Sequence, residues 1–192
     1  MSSVAIAYHS GYGHTAAAAE AVARGVRSVA GVSATLVPVE EAEARIGELH
    51  AADAIIFGAP TYMGSASAPF KAFMDGTSKF FGNRPWKDKL AAGFTVSASQ
   101  NGDKLNTLMQ FTIFAMQHAM VWVGLGLLAG NNSSKGSPED LNQLGSFIGA
   151  MVQANADQGN EGIKASDLRT AEELGKRVAE LALGQVALKV AA

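Results

Sequence analysis

Three observations make the chain an α/β protein built on a doubly wound, five-stranded parallel sheet. Short, almost wholly apolar runs, such as residues 4–7 and 54–57, alternate with segments of helical periodicity. These runs are too continuously apolar for strands with one wet face, which is the pattern expected where helices cover both faces of a sheet. The turns that follow the first, third and fourth runs are rich in Gly, Ser, Thr and Asn. Doubly wound sheets bind their ligands at the carboxyl ends of the strands, where strand order reverses.

Residues 4–8 form the first strand. Ser10, Gly11, Tyr12, Gly13, His14 and Thr15 follow, leading into an alanine-rich helix. Val22, Val26 and Val29 line one face of that helix, Glu20, Arg24 and Arg27 lie on others, and Gly31 ends it. The first amides of a helix lack intrahelical partners and carry the positive end of its dipole, so this turn suits an anion. Gly11 and Gly13 permit close backbone approach and positive φ, while Ser10 and Thr15 supply hydroxyl donors. With no Lys or Arg, the loop fits a single phosphate rather than a triphosphate and its metal. His14 sits in the first helical turn, where a cation is disfavoured, and is expected to face the phosphate.

Residues 34–37 make a second strand, 40–51 a helix and 53–58 a third strand. Pro60, Thr61, Tyr62, Met63 and Gly64 then offer backbone donors beside an aromatic ring and a thioether that can cover a flat ligand. A helix over 69–80 opens on Pro69, which needs no amide hydrogen there. A fourth strand, 90–97, runs into Ser97, Ala98, Ser99, Gln100, Asn101 and Gly102, a hydrogen-bonding set without formal charge. A helix over 103–118 and a fifth strand over 120–124 come next.

An insertion after that strand, residues 125–166, is rich in Gly, Asn and Ser around an apolar island at 147–152. A connection of this length is usually functional or an interface element. The island and Phe80–Phe81 are either exposed patches that mark a subunit interface or segments that fold back on their own domain. A closing helix over 167–183, capped by Ser166 or Asp167, leaves one domain over 1–184 and a frayed tail over 185–192. Trp86 and Trp122 are packing residues.

The global figures set bounds. A chain of 192 residues suits one domain with a substantial core. A net charge of −2 argues against nucleic acid and against an anionic membrane surface. Zero Cys excludes disulfides, thiolate chemistry and iron–sulfur sites. No basic leader precedes the first strand, and no apolar run reaches the about 18 residues of a membrane span, so the expected setting is cytoplasmic. Neither a cluster of metal-ligand type nor a Gly-x-Ser-x-Gly elbow is present. A monophosphate pocket, a flat apolar wall and neutral donors for a heteroaromatic ring together describe FMN.

Five blocks carry a family resemblance: Tyr8-His9-Ser10-Gly11-Tyr12-Gly13-His14-Thr15, Gly58-Ala59-Pro60-Thr61-Tyr62-Met63-Gly64, Phe70-Lys71-Ala72-Phe73-Met74-Asp75, Lys89-Leu90-Ala91-Ala92-Gly93-Phe94 and Gln117-His118-Ala119-Met120-Val121. Through them the chain resembles flavodoxin-like NAD(P)H:quinone oxidoreductases of the WrbA type and, more widely, NADPH-dependent FMN reductases. The likeness covers roughly the first two thirds and the last helix.

It implies a flavodoxin-like sheet of order 2-1-3-4-5 holding FMN, with NADH or NADPH as electron donor. Hydride would pass to the flavin and then, in a second half-reaction, to a quinone, in a homodimer or homotetramer. Residues 10–15 would hold the phosphate, Thr61, Tyr62 and Met63 would flank the isoalloxazine with Pro60 and Gly64 beside them in the cofactor loop, and residues 97–102 would bond its ring edge. His118 matches a histidine near flavin and quinone that would polarise or protonate the acceptor, Tyr12 an aromatic of the nicotinamide site, and Phe81 a substrate-pocket position. The chain departs from the pattern at Tyr62, where those proteins usually carry Arg, in the third loop and in the insertion.

Two rival readings use the same residues. Gly11-x-Gly13-x-x-Ala16, with Glu40 or Glu41 to reach a ribose, satisfies the dinucleotide fingerprint of a nucleotide-binding dehydrogenase. A flavodoxin-type electron carrier is the other, and it is at odds with so mild a net charge.

Overall fold

A computed structural model describes residues 1–191. In chain order these are β1 (Ser2–Tyr8), α1 (His14–Arg27), β2 (Val32–Pro38), α2 (Ile46–Ala51), β3 (Ala54–Tyr62), β4 (Ser65–Ala66), α3 (Ala68–Gly76), β5 (Leu90–Ser97), α4 (Lys104–Gln117), β6 (Val121–Trp122), β7 (Ala150–Gln153) and α5 (Ala165–Ala191). Short 3₁₀ turns cover Val39–Glu41, Thr77–Phe80 and Asn160–Gly162. The parallel sheet runs β2-β1-β3-β5 and is completed at its far edge by β6 and β7, which is the doubly wound order the sequence predicts.

The fifth position corrects one expectation. β6 pairs with Leu90 and Ala91 at the start of β5, whereas β7 pairs with Phe94 to Ser97 at its end. The insertion therefore divides the fifth strand instead of following it. Trp122 bridges the break, its indole N–H donating to the Ile148 carbonyl at 2.9 Å. The apolar island at 147–152 is largely the second half of the strand, with Ala150 and Val152 fully buried, so it is core and not an interface patch. Phe147 alone of its large side chains stays exposed.

The two sheet faces carry separate cores. One joins α1 and α5 to the sheet through Val4, Ile6, Val22, Val26, Leu174 and Val178. The other gathers Phe57, Phe70, Trp86, Phe111 and Phe114 under α2, α3 and α4. Trp86 is wholly buried there, its indole N–H on His50 Nδ1 at 2.9 Å.

The α1–α5 contact has no room for side chains. A Cβ on Gly25 would lie 1.8 Å from the Glu172 carbonyl oxygen, and one on Gly175 would lie 2.0 Å from that of Val22. These glycines let two helix backbones touch, which sets how deeply α5 seats on the sheet.

Two helix boundaries also differ from expectation. Ser166 and Asp167 lie inside α5 and cap nothing: Ser166 donates to the Pro138 carbonyl, and Asp167 accepts from Gln143 and from the Gln153 amide. At the other end the helix continues through Gly184 to Ala191, so the expected tail is helical over all but residue 192, which lies outside the described residues. Gln185 ties this extension to the Asp88 carbonyl at 3.1 Å. Among the described residues no helix is long and apolar enough to cross a membrane, and no group of three or more His, Asp or Glu gathers as a metal site.

Gly25→Ala is expected to destabilise the fold by about 1–3 kcal/mol, although Ala is the better helix former. The clash is with backbone, so no rotamer change relieves it. A lower urea midpoint at unchanged slope checks this.

Candidate functional site

Three loops meet at the carboxyl ends of β1, β3 and β5. In the first, Ser10 Oγ accepts from the amides of Gly13 and Ala16, both at 3.1 Å. The hydroxyl thus takes the place of an N-cap, and its own proton remains free to donate outward. Gly13 precedes α1 with φ 95°, a left-handed value that favours glycine. Gly11 lies under Tyr62: a Cβ there would stand 2.6 Å from the phenol oxygen. Tyr12 and Tyr62 meet edge to face with centroids 6.3 Å apart, so two aromatic walls stand between the first and second loops. Burial, and to a smaller degree Tyr12, holds the Tyr62 phenol above its ordinary pKa, leaving it a neutral donor.

Two residues of the first loop behave differently from expectation. His14 does not face the loop interior. Its Nε2 reaches the carbonyls of Gln158 and Gly159 at 2.9 and 3.1 Å, and two carbonyl partners fix Nε2 as the protonated nitrogen. The ring anchors the segment after β7 beside the loop, a partner more than a hundred residues away in sequence. Thr15 is buried in the first turn of α1.

The second loop is a tight hairpin. β4 turns back on β3 with Thr61 opposite Ala66 and Tyr62 opposite Ser65. Its two-residue turn, Met63 (φ 48°) and Gly64 (φ 77°), is left-handed at both positions, as such hairpins require. For Met that backbone is unusual, and its side chain projects fully into solvent. Asn106 of α4 holds the turn by donating to the Gly64 carbonyl at 2.6 Å. Pro60 lies past the last residue that pairs with β1, so its missing amide hydrogen costs no ladder bond on that side.

Thr61 corrects another expectation, because its side chain points into the protein. Thr95 donates to the Ala59 carbonyl at 2.7 Å, so Thr61 donates to Thr95 and Thr107 to Thr61, each at 2.8 Å. This buried relay leaves Thr61 only its backbone to offer a ligand.

The third loop, residues 97–103, is wrapped around a cation that the sequence reading missed. The Lys104 ammonium donates to Ser97 Oγ (2.7 Å) and to the carbonyls of Ser99 (2.7 Å), Gln100 (3.0 Å) and Asn101 (3.3 Å). Gln153 of β7 takes the Ala98 carbonyl at 3.1 Å. Gly102 has φ 56°, and a Cβ on it would sit 2.2 Å from Ser97 Oγ, so only glycine closes the turn. Lys104 has no exposed surface; burial lowers its pKa to about 8, and the Asp167 carboxylate opposes that shift. One sequence signal existed: a lysine in the first turn of a helix, where its charge opposes the dipole.

His118 and Phe81 are not brought to these loops. Both line a groove of about 670 Å³ between α3 and α4, together with Met74, Ile113 and Gln117. His118 is the residue after α4, at the amino end of β6, and is separated from the third loop by the whole helix. Fourteen residues at 1.5 Å each make that about 21 Å. Nor is it open to solvent. It is 3% exposed, its ring packs on Trp86 and Phe114, and its Nε2–H donates to Thr77 Oγ1 at 2.9 Å while Thr77 donates to the Met74 carbonyl. Nδ1 has no partner, and burial pushes the pKa down. Within one chain this enclosed imidazole packs against Trp86 and Phe114, away from the three loops.

The chain is similar to known proteins along nearly its full length. The family model described as NADPH-dependent FMN reductase matches residues 30–135. "Flavodoxin FldP" of Pseudomonas aeruginosa (strain UCBPP-PA14) is 43% identical over 186 residues, covering 94% of this chain and 97% of that protein. An "NAD(P)H dehydrogenase (quinone)" of Geotalea uraniireducens (strain Rf4) is 34% identical, covering 93% and 97%. Among solved structures, the flavodoxin, WrbA-like protein from Agrobacterium tumefaciens superposes with a TM-score of 0.75 at 40% identity, covering 96% of this chain and 99% of its own. A flavodoxin from the domain Archaea, 18% identical with a TM-score of 0.66 over 94% and 99%, shares the fold alone.

A pH prediction follows from His118. Its folded pKa lies below the unfolded value of about 6.5, so the unfolded chain takes up more protons and stability falls as pH drops below that value. His50, whose pKa is lowered by burial and by Lys89, acts in the same sense. The urea midpoint is expected to fall from pH 7 to about 5.5, and His118→Asn is expected to flatten part of that slope while the His50 part remains.

Proposed function

The chain belongs to the NADPH-dependent FMN reductase family, and on that premise we propose that it holds FMN across the three loops and passes electrons from NAD(P)H to a small quinone-like acceptor. The observation that carries this reading is the convergence of the loops at one end of the sheet, each tied from inside by buried side chains or by its own hydroxyl. The donor set fits FMN. The amides at the start of α1, with the Ser10 hydroxyl, suit a phosphate. Tyr62, Tyr12 and the Met63–Gly64 turn suit the faces of a flat ring, with Pro60 fixing the strand end that carries them. The amides of residues 98–102 suit the polar ring edge.

Bound there, FMN supplies two-electron transfer between a nicotinamide and an acceptor. The chain supplies placement. Gly11 and Gly13 admit the phosphate close to the backbone. The buried threonine relay fixes the second loop, Lys104 fixes the third, and His14 fixes the segment after β7 next to the first. Tyr12, the most exposed aromatic ring at the site at 82%, is placed to contact an incoming nicotinamide or quinone.

Phe81 and His118 serve a cofactor site only across a contact between copies of the chain. Self-association is supported by α4, where Leu105, Met109, Ile113 and Met116 form an exposed apolar stripe at helical spacing. A homodimer or homotetramer built on this stripe is expected to be visible by light scattering, and Ile113→Glu is expected to shift it to monomer.

A flavodoxin-type carrier is the second reading, favoured by the similarity to the Pseudomonas flavodoxin. The test is a visible spectrum of the protein with FMN, after NADH or NADPH and then after benzoquinone. Bleaching by the nicotinamide and recovery with quinone are the expected result. Flavin that binds but is not bleached supports the carrier, and no binding with FMN in excess overturns both.

A further inference from the structure

Lys104 is expensive where it stands. Burial disfavours its charge, and the positive end of the α4 dipole opposes it. Its ammonium is satisfied by four oxygens of one loop instead of by a carboxylate in contact. The loop's conformation follows from that. In a trans peptide unit the C=O and N–H point in opposite directions. The carbonyls of Ser99, Gln100 and Asn101 turn inward to the ammonium, so the amides of Gln100, Asn101 and Gly102 turn outward. Three consecutive donors with a positive charge behind them make a receptor for a site that gains negative charge.

We propose that Lys104 is the positioning residue of the third loop, aiming the amides of Gln100, Asn101 and Gly102 at the ring edge of FMN and favouring the reduced cofactor electrostatically. This rests on the FMN reading. Hydride from NAD(P)H brings two electrons and one proton, so the flavin gains one unit of negative charge on reduction. A fixed cation on the far side of the loop therefore stabilises the reduced form more than the oxidised form, and it raises the two-electron potential. A packing residue would affect both forms alike.

The charged group that acts on Lys104 from a neighbouring element is Asp167 on α5, which favours the ammonium. α4 itself carries no other charged residue, and Asp103, which immediately precedes it, is exposed. Gln153, on β7, is neutral.

The test compares wild type, Lys104→Met and Lys104→Arg for FMN dissociation constant, by flavin fluorescence quenching, and for two-electron midpoint potential. Lys104→Met is expected to bind oxidised FMN at least tenfold more weakly. It is expected to bind reduced FMN a further tenfold more weakly, a fall of about 30 mV in potential. Lys104→Arg is expected to recover most of the potential, because it keeps the charge. A folded Lys104→Met with wild-type potential overturns the proposal, whether or not its affinity has dropped, because that pattern is packing alone. If Lys104→Met does not fold, the wild-type FMN dissociation constant between pH 7 and 9 decides. It is expected to rise as pH passes about 8, where the ammonium loses its proton, and a flat profile overturns the proposal. Wild-type protein that binds no FMN overturns the cofactor reading and this inference together. FMN bound equally by wild type and variant, at equal potential, overturns this inference alone.

Discussion

Backbone hydrogen bonding at the carboxyl end of the sheet is the constraint on which the rest depends. Where parallel strands stop, their last polar groups and those of the following loops lose their ladder partners, and each needs another. This chain answers from inside at every loop. Ser10 gathers the amides of Gly13 and Ala16, the threonine relay ends on the Ala59 carbonyl, and Lys104 gathers three loop carbonyls. The result is a set of loops pre-shaped before any ligand arrives, which lowers the ordering cost of binding. Loop shape and core packing are coupled, because Thr95, Thr107 and Lys104 are themselves fully buried.

The same logic explains the divided fifth strand. β5 needs a neighbour along its full length, yet its start and its end are paired by segments from opposite sides of a long insertion. Gln153 at the end of β7 reaches the Ala98 carbonyl, and its own amide is held by Asp167 at the start of α5. Through these contacts the insertion closes the edge of the sheet and braces the third loop.

Local patterns made much of this legible. The apolar runs at β1, β3 and β5 and the glycine- and hydroxyl-rich turns after them mark both the sheet and the three loops, because strand burial and turn chemistry are short-range effects. What the sequence concealed was long-range. Residues 121–122 and 150–153 read as a strand and a stray apolar island, since nothing local says that they share one sheet position. Thr61 reads as a ligand contact until Thr95 and Thr107 are placed beneath it. His14 lies in an anion-binding turn by sequence, but the carbonyls of Gln158 and Gly159 claim its ring. His118 was placed by family likeness, which carries a residue type over and says nothing of which copy of the chain it serves. Lys104 was visible only as a charge at the wrong end of a helix, and the loop before it looked uncharged because the cation belongs to the next element.

The charge layout of the site separates two tasks. On the proposed reading a phosphate carries a constant charge, and the first loop would meet it with dipoles and the Ser10 hydroxyl, having no Lys or Arg of its own. Dipoles suffice there, since nothing about the phosphate changes during turnover. The ring edge is different, because its charge changes with each reduction and reoxidation. The buried Lys104 cation behind the third loop would respond to that difference, whereas a cation at the phosphate would be felt almost equally in both states. On the proposed reading, a buried ammonium behind the changing end, with the constant end left to backbone amides, is an arrangement in which a fixed charge acts on the redox equilibrium. It also accounts for a lysine kept against both burial and the helix dipole.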